Sequence, residues 1–233
     1  RYECRRLLWN KFFIGLAVVL LLYGVFVLHA VTILGVAHTA PFSPWSFGDY
    51  LSRMMPLLWL GMLFFLTFYT SPQARRAAIL MDATPIPPKQ YALARCAAAL
   101  TGGALLTLLC MVEAAVFYGR MFHWYSWGSL LLPALVTLLP ALVFALGSGW
   151  LAGQIRPWLV YVWMAVPFLL AALPLPEALG LWNGSFFTAY PLTLETLDPA
   201  FVLPVGVTVV QAVLLAAGTV LLILGGNRRK VMR

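Results

Sequence analysis

Six long apolar stretches alternate with short polar segments along this chain. Each stretch is close to or above the roughly 20 apolar residues that a helix needs to cross about 30 Å of hydrocarbon. The pattern therefore predicts an all-α membrane protein with six transmembrane helices in a single domain, residues 1–233. The predicted spans cover residues 12–34, 50–70, 97–118, 129–153, 157–175 and 204–225.

Composition supports this class and excludes others. The chain is 63% hydrophobic and 9% charged, with a mean hydropathy of +0.92, whereas soluble domains average about 25% charged residues. A soluble enzyme, a disordered regulator and a nucleic-acid-binding domain are therefore excluded as main functions. The net charge of +8 is explained by membrane topology rather than by a nucleic-acid partner.

Lys and Arg lie almost entirely in alternate connections between the predicted spans. Only Arg53 and Arg120 fall on one side, where Arg53 is close enough to a span end to snorkel. Basic residues are retained on the cytoplasmic side, so we expect both termini to be cytoplasmic. The thirteen residues on that side are Arg1, Arg5, Arg6, Lys11, Arg75, Arg76, Lys89, Arg95, Arg156, Arg228, Arg229, Lys230 and Arg233.

The segment before the first predicted span is basic and also carries apolar residues. Residues 1–11 read RYECRRLLWNK, a composition that favours a short helix at the cytoplasmic membrane interface. The apolar stretch that follows is longer than the core of a signal peptide and lacks a small-residue cleavage site. We expect it to be retained as a span.

The longest basic connection, residues 71–96, carries helix start and stop signals. Ser71 is a good N-cap, Pro72 suits the first helical position, and the prolines from Pro85 to Pro88 end the pattern. Two interpretations stay open from these residues alone. The segment is either a rigid docking helix on the cytoplasmic face or a loop that only satisfies the charge rule.

The outer segment, residues 176–203, mixes apolar runs with Pro, Gly, Asn and three acids. It is too interrupted to span the membrane and too apolar for a solvated loop. One interpretation is a re-entrant or interfacial pair of short helices, which requires that protein covers the broken backbone. The other is an amphipathic hairpin on the outer leaflet.

Polar chemistry within the predicted spans is sparse. Glu113 is the only acid that the predicted boundaries place in a span, so it is a candidate for the translocation path. The alternative is a shallow carboxylate that is hydrated or paired with Arg120. His29, His38 and His123 lack metal-ligand spacing, and no serine has an activating partner. We expect no metal site and no catalysis.

Two further patterns concern packing. Gly149 and Gly153 form a small-xxx-small pair that favours close helix packing within the chain, with dimerisation as the second use. Six tryptophans fall near predicted span ends and are expected to anchor at the level of the headgroups. They are Trp45, Trp59, Trp124, Trp127, Trp158 and Trp182.

These features together resemble the type-2 family of ABC-transporter permeases over essentially the whole chain. The resemblance rests on the basic YECRRLLWNKF before the first span, on ARRAAILMDATPIPPKQYALARCAAAL between the second and third spans, and on the interrupted segment between the fifth and sixth. One departure concerns the cytoplasmic helix. Family members often carry a Gly-Thr-x-Glu run there, whereas this chain is Ala-rich and has no acid before Asp82.

The resemblance implies a coupling helix at residues 72–82 that seats in a groove of a separate ABC ATPase subunit. It also implies two ATPase subunits, which bind ATP and Mg, and a second permease chain as homodimer or heterodimer partner. The expected activity is export of a drug, peptide, lipid or other amphipathic substrate across the inner (cytoplasmic) membrane of a bacterial cell. The implied docking residues are Ser71, Pro72, Gln73, Arg75, Arg76, Ile79, Leu80 and Asp82.

ATP hydrolysis is not expected from this chain itself. It has no G-x-x-x-x-G-K-[ST] phosphate loop, whose backbone N–H groups and Lys hold the nucleotide phosphates. Two alternatives to the transport subunit remain. One is an immunity or sensor membrane protein of the same architecture, and the other is a membrane-embedded enzyme, which would need more polar groups than Glu113.

Overall fold

A computed structural model describes residue 7 and residues 9–70, 88–194 and 196–227. Every regular element in these ranges is helical. Short 3₁₀ turns occur at Thr32–Leu34, Glu177–Leu179 and Tyr190–Leu194. The α-helices are α1 (Lys11–Ala30), α2 (Pro44–Thr70), α3 (Pro88–Phe122), α4 (Gly128–Ile155), α5 (Trp158–Ala172), α6 (Ser185–Ala189) and α7 (Val205–Asn227).

Five helical segments are long and apolar enough to cross a membrane, which agrees with an all-α multi-pass membrane protein. They are Lys11–Leu34, Pro44–Thr70, Ala94–Phe122, Gly128–Ile155 and Val205–Gly225. The predicted span at 157–175 corresponds to α5, which has 15 residues. At 1.5 Å per residue α5 is about 22 Å long, shorter than the hydrocarbon layer.

Prolines explain why α5 ends before the predicted boundary. Leu173 has extended backbone angles, φ −94° and ψ 146°. It precedes Pro174, and Leu175 precedes Pro176. A proline disfavours helical geometry at the residue before it, so two of them in alternate positions stop the helix. This signal is present in the sequence, but hydropathy alone does not register it.

Helix α2 begins six residues before its predicted start, at Pro44 instead of residue 50. The backbone N–H of Ser46 donates to Ser43 Oγ at 3.2 Å, so Ser43 caps the helix while Pro44 occupies the first position. The expectation that Glu113 is the only acid in a span is therefore wrong. Asp49 also lies inside a candidate spanning helix.

Helix α2 is the centre of the fold. It contacts α1, α3, α4, α5 and α6, and most of its side chains are buried. Trp45 and Trp59 are fully buried and Trp182 nearly so, so the expectation that these three anchor at the membrane interface is wrong. Trp59 is held inside the protein, where its Nε1 donates to the Trp163 carbonyl at 3.2 Å.

Glycines allow α4 to approach both α2 and α7 closely. A Cβ at Gly149 would overlap Leu63 of α2, and one at Gly153 would press on Thr70. The prediction that this pair packs helices within the chain is confirmed. Gly147 faces the backbone of Gly218 in α7 in the same way, and Gly218 faces the backbone at Phe144.

The outer segment forms short helices that pack on the first half of α2. Phe186 and Phe187 are buried, and the ring of Phe187 lies where Gly48 has no side chain. Trp45 Nε1 donates to the carbonyl of Pro199 at 2.8 Å. Helix α2 thus contacts this segment through Gly48 and satisfies the carbonyl of Pro199 through Trp45.

We expect Gly218→Ala to lower the stability of the protein in detergent by about 1–3 kcal/mol, the usual range for overpacking. The new Cβ would lie 2.7 Å from the backbone nitrogen of Phe144, where backbone rather than a flexible side chain must move. The melting temperature followed by intrinsic fluorescence measures the change. Gly206→Ala on the same helix is the matched control, because a Cβ at Gly206 meets nothing within 4 Å. Equal melting temperatures for the two variants would contradict the close α4–α7 contact.

Candidate functional site

The implied docking residues lie outside the described residues. Ser71, Pro72, Gln73, Arg75, Arg76, Ile79, Leu80 and Asp82 all fall in the interval between Thr70 and Pro88. Most of the predicted interfacial helix at 1–11 and the basic tail after Asn227 also fall outside. The predicted site residue that the structure describes is Glu113.

Glu113 lies where α3 meets α1 and α2. Its Oε2 accepts a hydrogen bond from the Tyr50 hydroxyl at 3.3 Å, and the same hydroxyl lies 3.3 Å from the Cys110 carbonyl. Glu113 Oε1 is buried, and the backbone of Val25 in α1 lies beside the carboxyl group.

A glycine in α1 makes room for this carboxyl group. Gly24 faces it directly, and a Cβ at Gly24 would overlap Glu113 Oε2. The close approach of α1 to α3 at this point therefore depends on two residues together. One carries a polar group between the helices, and the other lacks a side chain.

Arg120 does not pair with Glu113 in the described structure, so the pairing with Arg120 is wrong, whereas hydration of the carboxylate stays a prediction. The ion pair found among the described residues is Arg53 with Asp49, and Arg120 is exposed near the end of α3. Seven residues separate Glu113 from Arg120, a rise of about 10 Å along the helix. Tyr50 is the partner instead.

A second polar cluster lies on α2 beside Tyr50. Arg53 Nε donates to Asp49 Oδ2 at 2.8 Å, and Asp49 is 1% exposed. Gly184 has φ +79°, and a Cβ there would come within 2.8 Å of Asp49 Oδ1 and of Ser52 Oγ. The left-handed glycine before α6 thus seals the buried carboxylate from the other side.

The two clusters contain neighbouring residues of α2, Asp49 in one and Tyr50 in the other. Asp49 faces the segment before α6, whereas Tyr50 faces Glu113 on α3, as expected for successive helical residues about 100° apart. The Asp49–Arg53 spacing of four residues is a sequence signal for an ion pair on a helix. Hydropathy does not reveal this ion pair, because residues 35–49 look like a polar turn and not like part of a helix.

The chemistry offered by these clusters is that of hydrogen bonding and charge. The described residues contain no group of three or more His, Cys, Asp or Glu side chains able to hold a metal ion. Cys96 and Cys110 are free and buried. What the arrangement supplies is two contacts made by carboxyl groups, one between α2 and α3 and one within α2.

We expect Gly24→Ala to destabilise the protein by about 1 kcal/mol relative to the Gly15→Ala control, because the Glu113 carboxyl group must rotate away and give up its hydrogen bond with Tyr50. In the double variant Gly24→Ala with Glu113→Ala, most of this loss is recovered because the overlapping atoms are removed. Melting temperatures of the single and double variants form the cycle. Gly15→Ala is the control on the same helix, since a Cβ at Gly15 meets nothing within 4 Å. Strict additivity of the two substitutions would contradict this contact.

No protein-family model, curated protein or solved structure matches the chain. The resemblance to the permease family rests on the sequence pattern alone.

Proposed function

We propose that this chain is the membrane subunit of a type-2 ABC transporter, which exports an amphipathic substrate with ATP hydrolysed by a separate subunit. The proposal includes six spans, with α5 as the fifth, both termini in the cytoplasm, and a re-entrant segment at 176–203. Two such chains, or this chain and a relative, associate with two ATPase subunits that bind ATP and Mg.

The observation that carries the proposal is the position of α2 between two parts of the chain. Its last residue, Thr70, leads directly into residues 71–82, the segment whose sequence predicts the coupling helix. Near its other end Gly48 and Asp49 contact Phe187 and Gly184 of the outer segment. With 27 residues, α2 extends about 40 Å between these two ends.

This connection gives a physical route for mechanical coupling. Displacement of the Thr70 end by a partner subunit moves a helix that is packed on five others, so the displacement reaches the outer segment through packed side chains. Pro56 lies within α2 and has no N–H to donate to the carbonyl of Ser52. Bending of α2 is therefore easiest near its middle.

Two features of the sequence and one of the structure support a transport subunit over a membrane-embedded enzyme. The chain lacks a phosphate loop, so a motor must be supplied by another polypeptide. The thirteen basic residues on one side place residues 71–96 on the cytoplasmic face, where such a motor is available. The two acids in candidate spanning helices have separate partners, Arg53 for Asp49 and Tyr50 for Glu113, rather than converging on one reacting point.

We expect the double substitution Arg75→Glu with Arg76→Glu to reduce ATPase activity that co-purifies with the tagged chain from its native membrane by about tenfold or more. Reversing two charges at a complementary contact places like charges together, which costs several kcal/mol. The measurement is vanadate-sensitive ATP hydrolysis per mole of purified chain, with mass-spectrometric identification of any polypeptide carrying a phosphate loop.

The matched control is Arg228→Glu with Arg229→Glu. This pair lies on the same predicted side and shifts the net charge equally, so it separates docking from an effect on membrane orientation. Unchanged co-purification in the Arg75/Arg76 variant, or an equal loss in the control, would contradict the docking role.

A further inference from the structure

A cavity of about 490 Å³ opens between α1, α2, α5 and the residues that precede α6. We name it the α1–α2–α5 cleft. Its volume falls within the range of about 300–1,000 Å³ that is typical of ligand sites. Its lining consists of Val19, Tyr23, Ser52, Arg53, Pro56, Leu57, Phe168, Ala171, Trp182 and Asn183.

Polar and apolar groups occupy different levels of the cleft. Phe12 stacks on Phe64, and Leu16 fills the space beside Gly61. These two contacts show that α1 and α2 run antiparallel. Continuing this pairing along both helices places Tyr23 level with Arg53. The same pairing places Val19 level with Leu57, about one turn further along. The cleft is therefore amphipathic along its length.

The hydrogen-bonding capacity at the polar level consists mainly of donors. Arg53 uses Nε on Asp49, and in the described part of the chain its remaining N–H groups have no acceptor. Its side chain is 40% exposed, against 2% for that of Asp49. Asn183 Oδ1 already accepts from the backbone and the hydroxyl of Ser185. The side chain that faces outward is thus a guanidinium whose counter-ion is sealed behind it.

The chemistry of this donor set selects an acceptor-rich anion. A guanidinium binds phosphate or carboxylate oxygens through two parallel N–H groups. A cationic headgroup would find no available carboxylate among the described lining residues, because Asp49 is buried. Apolar walls at Val19, Leu57 and Phe168 suit a hydrocarbon chain.

We propose that the α1–α2–α5 cleft binds one phospholipid with an anionic headgroup. Its phosphate contacts the Arg53 guanidinium, and one acyl chain lies along the apolar walls. The surrounding bilayer is the source of this ligand. The inference goes beyond the transport proposal and does not depend on it, since it rests on the cleft alone.

The test measures which lipid the purified full chain retains. The protein in neutral detergent is incubated with equal amounts of dioleoylphosphatidylglycerol and dioleoylphosphatidylcholine, and retained lipids are counted by native mass spectrometry. We expect one tightly held phosphatidylglycerol, favoured over phosphatidylcholine by about tenfold, because both lipids offer a phosphate but the choline cation lies near the Arg53 guanidinium and finds no carboxylate in the cleft. Equal retention of both lipids would overturn the proposal.

Two variants test the two levels of the cleft separately. Val19→Trp fills the apolar level, and Val18→Trp is its control, because both valines are 48% exposed and only Val19 lines the cleft. Asp49→Asn with Arg53→Gln replaces the ion pair by two amides, so that neither charge is left buried alone. We expect a loss of phosphatidylglycerol retention of about tenfold in Val19→Trp and in the double variant, and none in Val18→Trp.

Three further outcomes would overturn the proposal. Full retention by both cleft variants would place the lipid elsewhere. Displacement of phosphatidylglycerol by inorganic phosphate at equal concentration would identify a site for the free anion instead. A dimer that Val19→Trp dissociates and Val18→Trp does not would show that a second copy of the chain covers the cleft.

Discussion

The burial of α2 among five other helices is the constraint on which the rest of this structure depends. Backbone polar groups in hydrocarbon must be satisfied within their own helix, and α2 meets this by running as one helix from Pro44 to Thr70. Its polar side chains then find partners on the same helix, as Asp49 does with Arg53, or on a neighbouring helix, as Tyr50 does with Glu113. Because lipid tails are as apolar as leucine, close packing rather than exclusion of water brings these helices together.

Glycines are the means by which polar groups fit between closely packed helices here. Gly24 leaves space for the Glu113 carboxyl group, and Gly184 leaves space for the Asp49 carboxylate. In each case the acid comes from one element and the glycine from another. The same device without a polar group joins α4 to α7 through Gly147 and Gly218. Steric fit therefore sets which helices touch and at what level.

Hydropathy located every described long helix, since each requires a long apolar run, but it could not supply their ends or partners. The cap at Ser43 brings Asp49 into α2, and a cap is a local hydrogen bond rather than a property of composition. From the sequence, Trp59 looks like an interfacial anchor because hydropathy does not distinguish a buried tryptophan from one at the level of the headgroups. The Tyr50–Glu113 contact joins residues 63 positions apart, a distance at which one sequence carries no pairing signal.

The two polar clusters lie on different sides of one helix, and this has a thermodynamic consequence. Arg53, which is paired with Asp49, borders the α1–α2–α5 cleft, while Tyr50 contacts Glu113 on α3. In the proposed complex, a lipid in the cleft and an ATPase partner at the Thr70 end would act on the same helix, with Pro56 between Arg53 and Thr70. If each of them binds one position of α2 more tightly than another, their binding free energies are coupled reciprocally: the partner changes the affinity of the cleft for lipid by the same factor as the lipid changes the affinity of the chain for the partner. A central helix with polar contacts on both sides can therefore link two sites without a hydrogen-bonded chain between them.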